Sequence, residues 1–205
     1  MLQWVAALII AAMPQAVILH PNYDTGMFTR NAGTKQAIDT YLASTHRVRM
    51  YEVDTEDKVY AMMRTGPHTL VISGHGTPDG ITLSAGEGEA RKLDLGDMEA
   101  LREAISHMPE DATIYLRSGS TAKGPGSFAA EFKRIAGTRT VIASTSSFND
   151  VNEHYISRYP FRLRITSKVD IDGGHMPGKT VRLENIVGKS YPSGTMPEID
   201  YTFME

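Results

Sequence analysis

Two short polar segments follow apolar runs that are typical of buried strands. His75 stands between two glycines after the run at residues 69–73, and residues 117–121 follow a second run at residues 113–116. Ligands of open parallel α/β sheets bind beyond the carboxyl ends of the strands, so both segments are candidate parts of a site. A histidine pKa lies near neutral pH, which suits general acid or base catalysis. The flanking glycines leave the imidazole accessible and let a backbone N–H approach a ligand. The alternative is that His75 only occupies a tight turn.

The elements that would position these segments alternate between strand-like and helix-like patterns. Apolar or β-branched runs predict five strands, at residues 16–20, 47–53, 69–73, 113–116 and 140–143. Capping residues and amphipathic spacing predict helices that begin after Thr34 and Thr55 and that span residues 97–108 and 127–136. This order predicts one α/β domain, a three-layer sandwich with a mostly parallel sheet and helices on both faces.

The remaining segments depart from that alternation. We expect a glycine-rich turn around His75, a short strand at residues 81–84 and an exposed loop at residues 85–92. A polar stretch at residues 144–159 precedes a β-rich C-terminal part, residues 160–205. Its predicted strands are residues 161–169 and 180–187, joined by a loop, and a closing strand at residues 200–204.

The two segments at the strand ends together resemble a known family. A strand followed by His-Gly, and a later strand followed by x-Ala/Ser-Cys, is the pattern of the caspase-like (clan CD) cysteine peptidases. That group includes caspases, legumains, gingipains, clostripain, separase and the bacterial CHAT domains. The histidine half is TLVISGHG, residues 69–76, and residues 113–132, TIYLRSGSTAKGPGSFAAEF, resemble the cysteine half with its following helix. TVIAST, residues 140–145, resembles the family's next strand, so the resemblance covers about residues 16–145. It implies a caspase-like fold with His75 as the catalytic histidine and the Gly76 N–H in the oxyanion hole.

The sequence departs from that family at the nucleophile. The family's cysteine corresponds to Gly119, and the chain contains no cysteine. The resemblance implies that His75 would activate a thiol, and without sulfur there is no nucleophile. Ser118 and Ser120 flank the position, but side chains one residue away from it point elsewhere. Either the chain is a natural pseudoenzyme, or a catalytic cysteine has been replaced to give an inert protein.

Three residues are candidates for contact with the substrate. In caspases the loop after the first strand carries an arginine that binds an acidic P1 side chain, and Arg30 is similar in placement. A guanidinium can clamp a carboxylate with two parallel hydrogen bonds. Asp24, in the same loop, would instead select a basic P1 residue. Ser118, beside the missing nucleophile, is the third candidate. The alternative for Arg30 and Asp24 is a solvated loop charge.

The composition excludes several other functions. The formal net charge of -3 gives no electrostatic case for binding nucleic acid. The absence of cysteine excludes disulfides and thiolate metal sites in this sequence. His154 and His175 lack neighbours at metal-ligand spacing, so we expect no metal and no cofactor.

The apolar run at residues 1–13 is relevant to where in the cell the protein is located. It is shorter than the roughly 20 apolar residues that span a bilayer, so we expect no membrane span. It lacks the basic residues that precede a signal-peptide core, and we expect it to form a buried helix or strand. A cytoplasmic location follows from that interpretation. Secretion is the alternative if these residues belong to a signal peptide.

These observations predict a caspase-like cysteine endopeptidase in an inactive form, with a peptide or protein as its substrate. The alternative belongs to another class of protein: a natural pseudopeptidase that keeps the cleft as a peptide- or protein-binding module.

Overall fold

The computed structural model describes residues 13–21, 42–84, 91–147, 151–157, 162–167 and 180–182. In chain order the elements are β1 (Gln15–Pro21), β2 (Arg47–Val53), α1 (Glu56–Arg64), β3 (Thr69–Ser73), β4 (His75–Thr77), β5 (Gly80–Thr82), β6 (Lys92–Asp94), a short 3₁₀ helix (Leu95–Asp97), α2 (Met98–Ser106), β7 (Thr113–Arg117), α3 (Phe128–Ala136), β8 (Thr140–Ser144), β9 (Val151–Ser157), β10 (Arg162–Ser167) and β11 (Thr180–Arg182).

A six-stranded sheet in the order β2-β1-β3-β7-β8-β11 forms the centre of the fold. The first five of these strands run parallel, and β11 pairs antiparallel with β8. The five predicted strands are the five parallel ones, so the α/β class and the mostly parallel sheet are confirmed. Helices α1, α2 and α3 lie in the connections from β2 to β3, from β3 to β7 and from β7 to β8, as parallel pairing requires.

Side chains of the two sheet faces form two separate apolar clusters. On one face, strand residues such as Leu70 and Ile72 pack with α1, α2 and α3 through Val59, Leu101 and Phe132. The opposite face carries its own buried residues, which are Ala16, Ile18, Leu42, Val71, Tyr115, Ile142 and Leu163. The described helices therefore cover one face. The helix predicted after Thr34 lies outside the described residues except for its end, where Leu42 is buried against the second face.

The helices begin and end close to the predicted positions. α1 begins after Thr55 and places Glu56 and Asp57 in its first turn, as its acidic start predicts. α3 ends at Gly137, which has a φ of 65° that favours glycine. In α1, Val59, Tyr60 and Met63 are buried, and Met62 is half-buried.

The glycine-rich region around His75 was predicted as a turn, and that prediction was wrong. His75–Thr77 is strand β4, which pairs antiparallel with β5, and β5 pairs with β6 in a three-stranded sheet. The turn is confined to Pro78 and Asp79, a dipeptide that favours turns. Gly80 then comes so close to β6 that a β-carbon on it would lie 2.9 Å from Asp94 Cβ. Lys92, expected in a loop, begins β6; residues 85–90 lie outside the described residues.

The C-terminal part also differs from the prediction. The polar stretch at residues 144–159, for which no strand was predicted, contains β9, which pairs antiparallel with β10 in a separate two-stranded sheet. The strands predicted at residues 161–169 and 180–187 contain β10 and β11, and in the described residues β10 pairs with β9 while β11 joins the free edge of β8. The closing strand expected at residues 200–204 and the N-terminal run up to residue 12 lie outside the described residues.

Candidate active site

The two candidate segments leave the same edge of the sheet side by side. β3 and β7 are parallel neighbours at the centre of the sheet, with Ser73 opposite Arg117. The chain continues from these residues into Gly74–His75–Gly76 on one strand and into Ser118–Gly119 on the other. Parallel pairing therefore brings both motifs to one carboxyl edge, where α/β proteins bind their ligands.

His75 is the first residue of β4, and its side chain is exposed at this edge. Gly74 allows the chain to fold back sharply enough to place His75 at the carboxyl edge. A β-carbon on Gly74 would lie 2.6 Å from both the Thr82 carbonyl oxygen and Ile81 Cγ2, closer than real side chains come. The hairpin formed by β4 and β5 thus holds the imidazole-bearing backbone by strand pairing, with His75 opposite Thr82.

Gly76 lies directly against the turn that follows β7. A β-carbon on Gly76 would overlap the Gly119 carbonyl oxygen and would stand 2.8 Å from Ser118 Cβ and 2.9 Å from Thr121 Cγ2. Any side chain at residue 76 would therefore push the two segments apart. The backbone that follows His75 and the backbone at residue 119 are in van der Waals contact.

The turn after β7 is fastened to the end of β8 by backbone hydrogen bonds. The Ser120 N–H donates to the Ser146 carbonyl at 2.8 Å, and the Ala122 N–H donates to the Ser144 carbonyl at 3.0 Å. The Ser144 hydroxyl donates to the Ser146 carbonyl at 3.0 Å, and this hydrogen bond fixes the end of β8.

The N-terminus of α3 joins both halves of the site. Its first N–H, from Phe128, donates to the Pro78 carbonyl of the β4–β5 turn at 2.6 Å. The next N–H, from Ala129, donates to the Thr121 carbonyl at 2.9 Å. The Thr121 hydroxyl also donates to the Ser118 carbonyl at 3.3 Å. The N-terminus of α3 therefore contacts both the β4–β5 hairpin, which carries His75, and the turn that contains Gly119. The positive end of its dipole is directed at protein carbonyls.

The φ angle of Gly119 lies outside the positive range that favours glycine. Among the described glycines, positive φ angles occur at Gly66, Gly124, Gly126 and Gly137. Among the described residues, the non-glycine with a positive φ is its neighbour Ser120, at 61°. Left-handed backbone is unfavourable for residues with a β-carbon, so the strained position of this turn is residue 120.

Ser118, predicted to contact substrate, is fully buried. Its Oγ has no hydrogen-bond partner among the described residues, and its β-carbon faces Gly76. The other two substrate-contact candidates, Arg30 and Asp24, lie outside the described residues. In the described ranges no group of three or more histidine, cysteine, aspartate or glutamate side chains is arranged to hold a metal ion.

Arg117 is a residue that the sequence argument passed over. It ends β7 directly before Ser118, and only 3% of its surface is exposed. The sequence did contain a signal for it: Arg117 is a charged residue at the end of an otherwise apolar strand. Such a residue is notable because buried charges are rare unless they are paired or functional.

Comparisons with known proteins found no matching protein-family model and no significant match among curated proteins. Within the described residues, no helix is both long enough and apolar enough to cross a membrane. The resemblance to the caspase-like peptidases therefore rests on the two motifs and on their placement at neighbouring strand ends.

Proposed function

We propose that this chain is a caspase-like cysteine endopeptidase in an inactive form, in which Gly119 occupies the position of the nucleophilic cysteine. The observation that carries the proposal is the contact between the Gly76 backbone and the Gly119 carbonyl at the carboxyl edge of two central parallel strands. The sheet order and the exposed His75 support the same assignment. A three-layer caspase-like sandwich is part of this proposal.

The chemistry follows from the roles of the residues. A cysteine at residue 119 would lose its thiol proton to His75 and attack the carbonyl carbon of a bound peptide. The Gly76 N–H would stabilise the oxyanion that forms, and His75 would return the proton to the departing amine. Gly119 removes the sulfur and leaves the other groups in place. The chain then binds a peptide at this edge without cleaving it.

Restoration of the nucleophile tests the proposal. Gly119→Cys should fold, because the backbone at residue 119 has no positive φ that would disfavour a side chain. The variant is incubated with a pooled peptide library and the cleavage products are measured by mass spectrometry. We expect cleavage that disappears in Gly119→Cys/His75→Ala. A folded Gly119→Cys protein that cleaves no peptide would overturn the assignment as a peptidase.

The second candidate function is a natural pseudopeptidase that binds peptides or proteins. The observation that favours it is the intact packing of Gly76 on Ser118 and Thr121 in a chain that contains no cysteine. The same library separates the two candidates. Peptides retained by the unmodified chain, together with no turnover by Gly119→Cys, would support the binding module.

A further inference from the structure

The outer side of β2 is an open strand edge in the part of the chain that the structure describes. β2 stands at one end of the six-stranded sheet, and the described strand that pairs with it is β1. It is seven residues long, whereas β11 at the other end of the sheet has three. Proteins protect open edges with short strands, prolines, bulges or charges. β2 contains no proline and pairs with β1 without a register shift, so charge is the device that remains.

The backbone groups on the open side of β2 belong to alternate residues. The Arg47 N–H donates to the Pro14 carbonyl at 2.9 Å, which directs the backbone of Arg47 towards β1. Both backbone groups of a strand residue point to one side, and those of the next residue point to the other. The N–H and C=O groups of Val48, Met50 and Glu52 therefore point away from β1 and can pair with a further strand.

The charges along β2 and the start of α1 are separated by sign. Arg47 and Arg49 are exposed in the first half of the strand, and the exposed Glu52 lies near its end. Glu56 and Asp57 follow in the first turn of α1. A second copy of this segment in the antiparallel direction would bring each basic half beside an acidic half. A parallel copy would bring like charges together, which is unfavourable across strands.

We propose that the outer edge of β2 is a dimerisation surface, at which a second copy of this chain adds its own β2 in the antiparallel direction. The alignment centred on Met50 is the one that overlaps all seven residues of both strands. Met50 then lies opposite Met50 of the second copy, and Val48 lies opposite Glu52. These pairs bring the outward backbone groups together in about six hydrogen bonds. The inference does not depend on the proposed function.

The side chains favour the same alignment. Residues directly opposite each other on paired strands share a face, so Arg49 of each copy lies beside Tyr51 of the other. A guanidinium is attracted to the face of an aromatic ring, and the half-buried Tyr51 leaves part of its ring open to such a contact. A shift of two residues towards the start of the strand would instead place Arg49 opposite Arg49 of the second copy.

Sedimentation velocity of the unmodified chain at increasing concentration tests for the dimer. A contact between two strand edges is small, so we expect a dissociation constant in the micromolar range. Met50→Pro removes the outward N–H at the centre of the interface, while the hydrogen bonds to β1 belong to the neighbouring residues. We expect it to raise the dissociation constant about a hundredfold, with the circular dichroism spectrum unchanged. Met50→Ala is the control: it loses the side chain, keeps the N–H and should change the constant by no more than about fivefold.

Cysteine cross-linking tests the alignment itself, because the chain contains no cysteine of its own. The two copies of residue 50 would lie opposite each other with α-carbons about 5.5 Å apart, a distance that a disulfide can bridge. The two copies of residue 52 would be four positions apart along the strands, at least about 13 Å. After oxidation, Met50→Cys should therefore run as a linked dimer on a non-reducing gel. Glu52→Cys, at a more exposed position, should run as a monomer.

Reversal of the charges tests the antiparallel direction. One variant carries Arg47→Glu and Arg49→Glu, and the other carries Glu52→Lys and Asp57→Lys. All four side chains are exposed, so both variants should fold. Each variant alone should be monomeric, because its reversed half would face a half of the same charge. An equimolar mixture should form a heterodimer, since both pairs of facing halves are then of opposite charge.

The outcomes that contradict the dimer are distinct from those that contradict the proposed function. A chain that stays monomeric at every concentration would overturn the inference. A dimer that Met50→Pro leaves unchanged, or that cross-links through Glu52→Cys and not through Met50→Cys, would place the interface elsewhere and overturn it too. So would two folded charge variants that do not associate when mixed. None of these results changes the expectation for Gly119→Cys, whose cleavage assay tests the proposed function by itself.

Discussion

The backbone of Gly76 lies against the carbonyl oxygen of Gly119 so closely that no β-carbon fits at residue 76. Strand pairing fixes the preceding residues on both sides, since Ser73 and Arg117 are register partners. The distance between the imidazole-bearing segment and the residue 119 position is therefore set by the packing of one backbone on another. A pair of catalytic groups needs such fixed geometry, because their separation controls proton transfer.

Replacement of Gly76 by alanine should destabilise the protein and separate the two segments. Overpacking of this kind costs about 1–3 kcal/mol. The free energy of unfolding is measured by urea denaturation. Gly96→Ala is the control, because its β-carbon would meet one side-chain atom at 3.1 Å, the Asp94 carboxylate oxygen that accepts from the Gly96 N–H, and no backbone atom. Equal losses of stability for the two variants would contradict the packing described at Gly76.

The unmodified chain should hydrolyse no peptide bond above background. Gly119 offers no nucleophile, and Ser120 is the one plausible substitute. Product formation from a peptide library should be the same for the unmodified chain, His75→Ala and Ser120→Ala. Proteolysis by the unmodified chain that depends on His75 would show that the nucleophile has been assigned to the wrong residue.

Substitutions at Ser120 should reveal the strain in the turn after β7. Its φ of 61° is accessible to glycine but unfavourable for residues with a β-carbon. We expect Ser120→Gly to be about 1 kcal/mol more stable than Ser120→Ala, in spite of the greater flexibility of glycine in the unfolded chain. Thermal and urea denaturation of the two variants provide the comparison. If the alanine variant is the more stable one, the turn is not held in the left-handed conformation.

Two buried serines beside the site should respond in opposite ways to alanine. The Ser118 hydroxyl has no partner in the part of the chain that the structure describes, so Ser118→Ala removes an unsatisfied buried group and should raise the free energy of unfolding by about 1 kcal/mol. The Ser144 hydroxyl donates to the Ser146 carbonyl and accepts from the Ser146 N–H, at 3.0 and 3.1 Å. Ser144→Ala should therefore lower the free energy of unfolding by about 1 kcal/mol. Destabilisation of similar size in both variants would mean that Ser118 has a partner in solution.

His46 should make the fold sensitive to acid. Its ring is buried and contacts the hydroxyls of Thr45 and Thr69 through its two nitrogens. Burial, and then the neighbouring His68, lower the pKa of His46 below its usual 6.5, while a backbone hydrogen bond at Leu42 acts in the opposite direction. The unfolded chain then takes up a proton before the folded one does. The free energy of unfolding should therefore be highest above pH 6.5 and should fall as the pH drops below it, until the folded pKa is reached.

The variant His46→Gln isolates this contribution. Its free energy of unfolding should change less between pH 7.5 and pH 5 than that of the unmodified chain, whatever its absolute stability (both pH values are about one unit or more from 6.5). Denaturation by urea at several pH values gives the two slopes. Parallel slopes would mean that other groups account for the acid sensitivity.

Local patterns in the sequence were sufficient to predict the central elements. The five parallel strands and the helices α1, α2 and α3 follow from apolar runs, amphipathic spacing and end signals such as Thr55 and Gly137. These signals act within a few residues of the element that they define, so they can be recognised without knowledge of the fold. The same reasoning placed His75 and Gly119 at strand ends, since each follows a buried run directly.

Tertiary structure alone decided which strand ends meet and which residues share an edge. The contact of Gly76 with Gly119, the pairing of β4 with β5, and the addition of β11 to β8 join residues whose partners are not encoded by local periodicity. Register likewise aligned Arg117 with Ser73, although more than forty residues separate them in the sequence. Such pairings are selected by the burial of whole faces, because a shift of one residue would turn Val71 and Tyr115 out of the core.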